Sequence, residues 1–215
     1  MADFNESWKK LTVKIVYYGP ALSGKTTNLI CLHDLVQGGG RGDLMSLETK
    51  GDRTLYFDLL PLAVTTENRV SILFKLFTVP GQVAHDATRK AVLSRADGVV
   101  FVADSQVSQS LNNAESFENL ENNCRRVGLD FDTLPLVVQF NKRDLGSIES
   151  EESILELWGP TGIPLVFASA LQGKGVLETF RAVVERCFQH LEVTLGLEKN
   201  YGISEKDFLR IAGIE

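Results

Sequence analysis

A glycine-rich segment near the start of the chain has the residue types that hold polyphosphate. Residues 19–26, GPALSGKT, match G-x-x-x-x-G-K-[ST] and lie between an apolar run and a helical pattern. The backbone N–H groups of such a loop, with the N-terminus of the next helix, form an anion-binding nest. Lys25 can then pair with the β- and γ-phosphates, and the Thr26 hydroxyl can bind Mg²⁺. The predicted phosphate-binding residues are Gly19, Ala21, Leu22, Ser23, Gly24, Lys25, Thr26 and Thr27.

A second polar segment, residues 141–144 (NKRD), directly follows another apolar run and could select the base. The Asp144 carboxylate can accept two hydrogen bonds from guanine, one from the ring N–H and one from the exocyclic amine. Adenine lacks this donor pair and would leave a buried carboxylate unpaired, which is costly. The Lys142 stem can cover the base face, and Asn141 can join this segment to the glycine-rich loop.

A third segment, residues 168–170 (ASA), follows the last apolar run and could cap the guanine oxygen with a backbone N–H. Ser169 and Ala170 are its predicted nucleotide-binding residues. Each of the three segments is a weak signal by itself. Because they occur in this order, each at the carboxyl end of a predicted strand, together they predict a site for GTP and GDP.

Short apolar runs that alternate with helical patterns must position these segments, and this rhythm predicts βαβ units. We therefore expect a three-layer α/β fold of the P-loop class, with a central, mainly parallel sheet flanked by helices. A domain over residues 1–192 and a C-terminal extension over 193–215 are expected, and Ser204 with Asp207 could start a short helix in the extension. Strands are predicted at 11–18, 55–60, 70–79, 98–103, 136–140 and 163–168, and helices at 25–36, 85–94, 111–127, 154–158 and 176–191.

Composition favours a protein without nucleic-acid or lipid partners. The formal net charge is −6, so the chain is repelled by nucleic acid and by anionic membrane surfaces. No apolar run approaches about 18 residues, and neither end carries a lipidation signal, so we expect no direct membrane anchor. The odd number of cysteines without a CxxC pair fits small buried side chains in a reducing compartment such as the cytoplasm.

The three motifs are similar to those of Ras-like small GTPases, and narrower stretches resemble the bacterial MglA family of polarity and motility GTPases. These stretches are residues 52–62 (DRTLYFDLLPL), 78–83 (TVPGQV) and 97–106 (DGVVFVADSQ), and the resemblance covers about residues 10–192. It implies a roadblock-domain activator of the MglB type, effector proteins that govern polarity or motility, and recruitment to cell poles by partners.

One position departs from the Ras-like pattern. Ras-like proteins have Asp-x-x-Gly, in which the Asp holds an Mg²⁺-bound water and the Gly N–H meets the γ-phosphate. Here Thr78 stands at the Asp position, and Gly81 is retained as a predicted nucleotide contact. Our hypothesis is that Asp58, on the neighbouring predicted strand, supplies the missing charge through water. A plain strand-end carboxylate is the alternative for Asp58.

The same resemblance assigns roles to three residues between the motifs. Thr54 would join Mg²⁺ when the γ-phosphate is present, and Gln82 would orient the attacking water. Arg53 would stabilise charge on the transferred phosphoryl group with its planar, permanently charged fork. The alternatives are a strand threonine, an exposed loop glutamine and a solvated arginine. For His85 we expect a helix-start or surface histidine.

We therefore expect a switch that hydrolyses GTP to GDP and phosphate with Mg²⁺, slowly unless an activating partner is present. Lys25, Gln82 and Arg53 are its candidate catalytic residues, and Thr26, Thr54 and Asp58 its candidate metal residues. A pseudo-GTPase that holds the nucleotide without turnover is one alternative, which the missing acidic residue before Gly81 favours. A metabolic P-loop kinase that uses ATP is another, against which Asp144 argues.

Overall fold

The computed structural model describes residues 2–36, 42–48, 56–80 and 86–212. Their strands are β1 (Asp3–Asn5), β2 (Lys10–Tyr18), β3 (Met45–Glu48), β4 (Tyr56–Thr65), β5 (Ser71–Thr78), β6 (Gly98–Asp104), β7 (Leu136–Asn141) and β8 (Leu165–Phe167). They form one sheet in the order β3-β4-β5-β2-β6-β7-β8, and β1 pairs with β2. The pairs from β5 through β8 are parallel, whereas β1, β3 and β4 pair antiparallel.

Helices cover both faces of this sheet. The α-helices are α1 (Lys25–Leu35), α2 (Asp86–Leu93), α3 (Ser110–Arg126), α4 (Glu151–Trp158), α5 (Val176–Leu195), α6 (Leu197–Tyr201) and α7 (Glu205–Leu209). One core cluster joins apolar residues of α1, α5 and α7 to one face of the sheet, and a second joins α2, α3 and α4 to the other. The predicted three-layer α/β fold with a mainly parallel sheet is confirmed.

Strand β2 explains why the sheet can carry helices on both sides. Side chains of a strand alternate between faces. Ile15 and Tyr17 accordingly belong to the first core cluster, and Val16 and Tyr18 to the second. The burial of β2 alternates over its first residues and then becomes continuous, as its sequence pattern predicts. A strand that is buried on both faces must read as a continuous apolar run.

Two strands were not predicted, and one is longer than predicted. β1 and β3 lie outside the predicted strands, and β4 continues to Thr65 although Pro61 lies within it. The Pro61 carbonyl accepts from Gly42 N on the side away from β5. Because N–H and C=O of one strand residue point to the same side, the missing Pro61 N–H removes no bond to β5.

The C-terminal segment packs on the same core as the rest of the domain. The Phe208 ring lies fully buried, with ring centroids 5.3 Å from those of both Phe74 and Phe188. The helix predicted from Ser204 exists as α7 and begins with a capping box between Ser204 and Asp207. α5 runs across residue 192, so the division into 1–192 and 193–215 stays a prediction from sequence.

Trp158 and the cysteines have packing roles. Trp158 packs edge-to-face on Phe117, with ring centroids 4.9 Å apart. The three cysteines are free, and burial raises the pKa of the Cys124 thiol to about 12, which keeps it unreactive. Among the helices in the described ranges, none combines the length and apolar character needed to cross a bilayer.

Candidate functional site

The glycine-rich loop joins the end of β2 to the start of α1. Gly19 has a φ of 142°, and a Cβ there would lie 2.2 Å from the carbonyl oxygen of Val102 in β6. Gly24 has a φ of 99°, and a Cβ there would lie 2.3 Å from Nδ2 of Asn141 in β7. A side chain at either position would meet both the backbone strain and the steric overlap. The two glycines therefore let the loop approach the carboxyl ends of β6 and β7.

The other loop residues divide into exposed and buried ones. Ala21, Leu22 and Thr26 are exposed, and Thr27 is half-buried. Ser23 is fully buried, and its hydroxyl makes no hydrogen bond within the described structure. Because α1 begins inside this segment, the N–H groups of its first turn have no acceptor within the helix. These donors are what an anion-binding nest requires.

Lys25 places a buried ammonium at the centre of the loop. Its side chain is 7% exposed, and Nζ donates to the carbonyl oxygens of Gly19 at 3.0 Å and Pro20 at 2.6 Å. Burial, helped by the charge of Arg89, lowers the Lys25 pKa to about 8. The two carbonyl acceptors are neutral, so this site fits an added anion that would compensate the buried charge.

Asp58, Thr26 and Thr78 converge beside this loop. The Thr26 hydroxyl donates to Asp58 Oδ2 at 2.6 Å, and the Thr78 hydroxyl donates to the same oxygen at 3.0 Å. The Asp58 N–H in turn donates to Thr78 Oγ1 at 2.9 Å. Antiparallel pairing of β4 with β5 thus puts a carboxylate beside the threonine that stands where Ras-like proteins have Asp.

These oxygens suit a magnesium ion. Carboxylate and hydroxyl oxygens are the hard ligands that Mg²⁺ prefers, and Mg²⁺ commonly keeps several waters and few protein ligands. Among the described residues, no group of three or more His, Cys, Asp and Glu side chains is placed to hold a metal ion. The side-chain oxygens of Thr26 and Asp58 could hold Mg²⁺ here, Asp58 through water, together with phosphate oxygens, and this role stays a prediction.

Asn141 joins residues 141–144 to the glycine-rich loop, as predicted. Asn141 Nδ2 donates to the Ser23 carbonyl at 2.8 Å, and Asn141 Oδ1 accepts from the Ala170 N–H at 2.9 Å. One buried amide therefore holds all three predicted segments together. The Ala170 N–H is already bonded in this structure, so its contact with a guanine oxygen stays a prediction.

Asp144 and Lys142 occupy the outer part of the same edge. The Ser169 hydroxyl donates to Asp144 Oδ1 at 2.6 Å, which orients the carboxylate. Lys142 has a φ of 67°, and its Nζ lies 2.6 Å from Oδ2 of the buried Asp104. Asp144 is exposed in this structure, so its contact with a guanine base stays a prediction. Its loop is open at the sheet edge, and burial of Asp144 would require a bound base.

Five residues considered in the sequence lie outside the described residues. They are Arg53, Thr54, Gly81, Gln82 and His85. Their roles stay predictions from sequence.

Sequence reasoning missed a set of buried polar side chains below the site. Asn28 in α1, Gln139 in β7 and Thr179 in α5 are all fully buried and hydrogen-bonded to one another. The available signal was Gln139 itself, a polar residue inside the apolar run LVVQF of a buried strand.

Asp86, the first residue of α2, was also not predicted to matter. Its carboxylate accepts from Asn123 of α3 at 2.8 Å and lies 3.2 Å from Lys90 Nζ. Burial by itself would raise the Asp86 pKa, but hydrogen bonds from Asn123, Lys90 and Asn119, with the Lys90 charge, bring it down to about 2. The start of α2 is thereby fixed to α3.

Comparison with known proteins agrees with the observed α/β fold. No protein-family model matches the chain. The chain is 43% identical over 192 residues to the mutual gliding-motility protein MglA of Myxococcus xanthus strain DK1622. The aligned region covers 89% of this chain and 98% of that protein. With this identity over nearly the whole relative, and with the sheet and helices of a G domain in place, the chain belongs to the MglA family of Ras-like small GTPases.

Proposed function

We propose that the protein is a Mg²⁺-dependent guanine-nucleotide switch that hydrolyses GTP to GDP and phosphate. One observation carries the proposal: the Asn141 side chain holds the phosphate loop at Ser23 and the base-contacting segment at Ala170 together. Lys25 and the first turn of α1 then face the phosphates, and Asp144 faces the guanine edge. A competition experiment tests the base choice, because GTP should displace a fluorescent GDP analogue at least ~100-fold more effectively than ATP does.

Two residues outside the described part of the chain complete the proposed reaction. Gln82 would orient the attacking water in line with the leaving group, and Arg53 would stabilise the charge that develops on the phosphoryl group. Arg53→Ala should then slow single-turnover hydrolysis while GTP affinity is retained. Equal loss of affinity and rate would instead indicate a binding or folding role for Arg53.

Mg²⁺, when bound, would supply positive charge that offsets the charge of the phosphates. The residues that support its binding are Thr26 and Asp58, whose side-chain oxygens lie 2.6 Å apart. Thr78 cannot replace an acidic residue by charge, but its hydroxyl orients Asp58 from the neighbouring strand. The acidic residue missing from the Ras-like pattern is thereby supplied from β4.

Asp58→Ala tests this assignment. We expect at least a ~10-fold higher Mg²⁺ concentration for half-maximal retention of GDP, since the carboxylate that would hold an Mg²⁺-bound water is lost. Magnesium titration of the release of a fluorescent GDP analogue measures it. Thr78→Val is the matched variant, because it keeps the Asp58 charge and removes the two hydrogen bonds between Thr78 and Asp58, so its effect should be smaller. Unchanged Mg²⁺ and GTP affinities in Asp58→Ala would contradict the role.

A pseudo-GTPase is the second candidate, and Thr78 in place of the acidic residue favours it. A single-turnover assay with and without a candidate activator separates the two functions. Release of phosphate that depends on Gln82 supports the enzyme. Retention of intact GTP under both conditions supports the binding module.

The relative from Myxococcus xanthus carries gliding motility in its name, and we extend this role to the present chain. Partner binding in the GTP form would control cell polarity or motility. The resemblance to MglA proteins supports a roadblock-domain activator of the MglB type and further effector proteins. Partners, rather than a lipid anchor, would bring the protein to the cell poles. Co-purification with a roadblock-domain protein in the presence of GTP, and not GDP, tests this proposal.

A further inference from the structure

Three fully buried polar side chains, which we call the buried amide bridge, lie beneath the proposed nucleotide site: Asn28, Gln139 and Thr179. Asn28 Nδ2 donates to Gln139 Oε1, and Gln139 Nε2 donates to Asn28 Oδ1, each at 2.9 Å. Gln139 Nε2 also donates to Thr179 Oγ1 at 2.8 Å. The bridge therefore connects α1 to α5 through Gln139 of β7, the strand next to the edge strand β8.

Both ends of the bridge are bonded to backbone next to the nucleotide-binding segments. Asn28 Nδ2 donates to the carbonyl of Gly24, the last residue of the phosphate loop before α1, at 3.0 Å. The Thr179 hydroxyl donates to the carbonyl of Gly175 at 2.6 Å. Gly175 lies directly after Lys174, which exchanges backbone hydrogen bonds with Ser169 at 3.0 and 3.1 Å. The bridge thus connects the phosphate loop to the segment that carries the predicted base contacts.

β7 presents two polar residues on the same face. Gln139 and Asn141 are two positions apart, so their side chains point to the same side of the sheet. Asn141 ties the nucleotide-binding segments at their tips, through Ser23 and Ala170. Gln139 connects the buried lower ends of the same segments, through Asn28 and Thr179. Two parallel connections resist rotation of the segments about either one.

Apolar side chains could fill the same volume, but they would not fix the distance between α1 and α5. Burial of two amides and a hydroxyl is costly unless every donor is paired. Each donor of the bridge has an acceptor in this structure, through Asn28, Gln139 and Thr179. Such a fully paired network specifies one arrangement of its elements, whereas apolar contacts allow small sliding motions.

From this geometry we infer that the buried amide bridge sets the distance between the phosphate-binding and base-binding halves of the site. Asn28, Gln139 and Thr179 are then positioning residues for a ligand that carries both a purine and phosphates. The inference rests on the proposed function, because it requires a guanine nucleotide to span the two halves. Correct spacing makes binding of one half of the ligand assist the other half.

Ligand fragments distinguish positioning from general support of the fold. GDP needs both halves of the site, whereas pyrophosphate needs the phosphate half and guanosine the base half. Inhibition constants for all three are measured by competition against a fluorescent GDP analogue on the full chain. In Gln139→Met, we expect GDP affinity to fall ~10-fold while the constants for pyrophosphate and guanosine change less than ~2-fold.

A milder variant guards against misfolding, because Gln139→Met leaves the Asn28 amide short of a partner. Thr179→Val keeps the side-chain shape and removes the hydroxyl, so GDP affinity should fall ~3-fold. Thr179→Ser restores the hydroxyl and should recover most of that loss. Thr194→Val is the matched control on the same helix, since the Thr194 hydroxyl also donates to a carbonyl four residues back, at 2.9 Å. Thr194 lies outside the bridge, so GDP affinity should not change.

The affinities of these variants decide whether the buried amide bridge has a positioning role. Selective loss of GDP affinity, with rescue in Thr179→Ser, supports the positioning role. Equal losses for GDP, pyrophosphate and guanosine would overturn it, as would unchanged GDP affinity in both Gln139→Met and Thr179→Val. Failure of the wild-type protein to bind GDP at all would instead overturn the proposed function.

Discussion

The base side and the phosphate side of the site are built differently. On the base side, polar groups are paired with one another: Ser169 with Asp144, and Asn141 with the two neighbouring segments. On the phosphate side, the buried Lys25 ammonium contacts two neutral carbonyls. The polar groups at the proposed base side are therefore largely paired within the protein, whereas at the proposed phosphate side a bound anion would compensate the Lys25 charge.

The difference follows from the sheet. Parallel strands β6, β7 and β8 end together at the base side and are fixed by hydrogen bonds between their loops. At the phosphate side, antiparallel β4 and β5 bring Asp58 beside Thr26 across 32 positions of sequence. Prearranged hydrogen bonds at the proposed base side would favour selectivity, and an anion bound beside Lys25 would couple ligand binding to the state of the surrounding segments.

Lys25→Met should have the largest effect and tests the phosphate side. We expect GTP affinity to fall at least ~100-fold, because a charge-assisted contact to two phosphates is lost. Thermal stability of the nucleotide-free protein should stay the same or rise, since a buried charge is removed. Calorimetric titration with GTP and thermal unfolding without nucleotide measure the two quantities. A marked loss of stability would show that Lys25 is compensated within the protein, and the contrast between the two sides would fail.

Asp144→Ala tests the base side. GDP affinity should fall ~100-fold and the preference for guanine over adenine should largely disappear, because the acceptor of both guanine donors is removed. The nucleotide-free protein should change in stability by only about 0.5 kcal/mol, since Asp144 is exposed. Asp132→Ala, at another exposed loop carboxylate, is the matched control and should bind GDP normally. Retained guanine selectivity in Asp144→Ala would contradict the assignment.

Proton uptake on GDP binding is the smallest expected effect, and it sharpens the comparison of the phosphate side with the base side. Without nucleotide the Lys25 pKa is lowered to about 8, and bound phosphates should raise it again by charge pairing. GDP binding should therefore take up part of a proton at about pH 8.5 and almost none at about pH 7, so affinity falls as pH rises above 8. Titration calorimetry in two buffers of different ionisation enthalpy measures this uptake.

Lys25→Arg is the control for the proton experiment, because arginine stays charged over this range. Any titration of the guanine ring itself would appear in both proteins. Equal proton uptake by wild type and Lys25→Arg would therefore exclude Lys25 as its source.

The lowered pKa of Lys25 also affects the stability of the folded protein. The unfolded chain holds the Lys25 proton up to about pH 10.5. The nucleotide-free protein should therefore become more stable as the pH rises from about 8 to 10.5, because higher pH favours the folded state, which has already lost this proton.

Much of the fold could be predicted because its signals are local. The continuous apolar runs of β2, β6 and β7 and the broad apolar face of α5 depend only on neighbouring residues. β1 and β3 were missed because each is a short strand whose pairing partner is set by the fold. β4 was predicted too short because proline usually argues against a strand, and only the sheet shows that the missing Pro61 N–H faces away from β5.

The sequence by itself determined the three contiguous nucleotide motifs and the α/β order of elements, because a phosphate loop or a base-selecting turn is built from adjacent residues. Tertiary structure alone decided which distant side chains meet. Asp58 meets Thr78 only because β4 pairs with β5, and Gln139 meets Asn28 across 111 positions only because α1 and β7 contribute to the same core cluster. Such contacts arise from chain topology, and residue type at one position does not specify its partner at another.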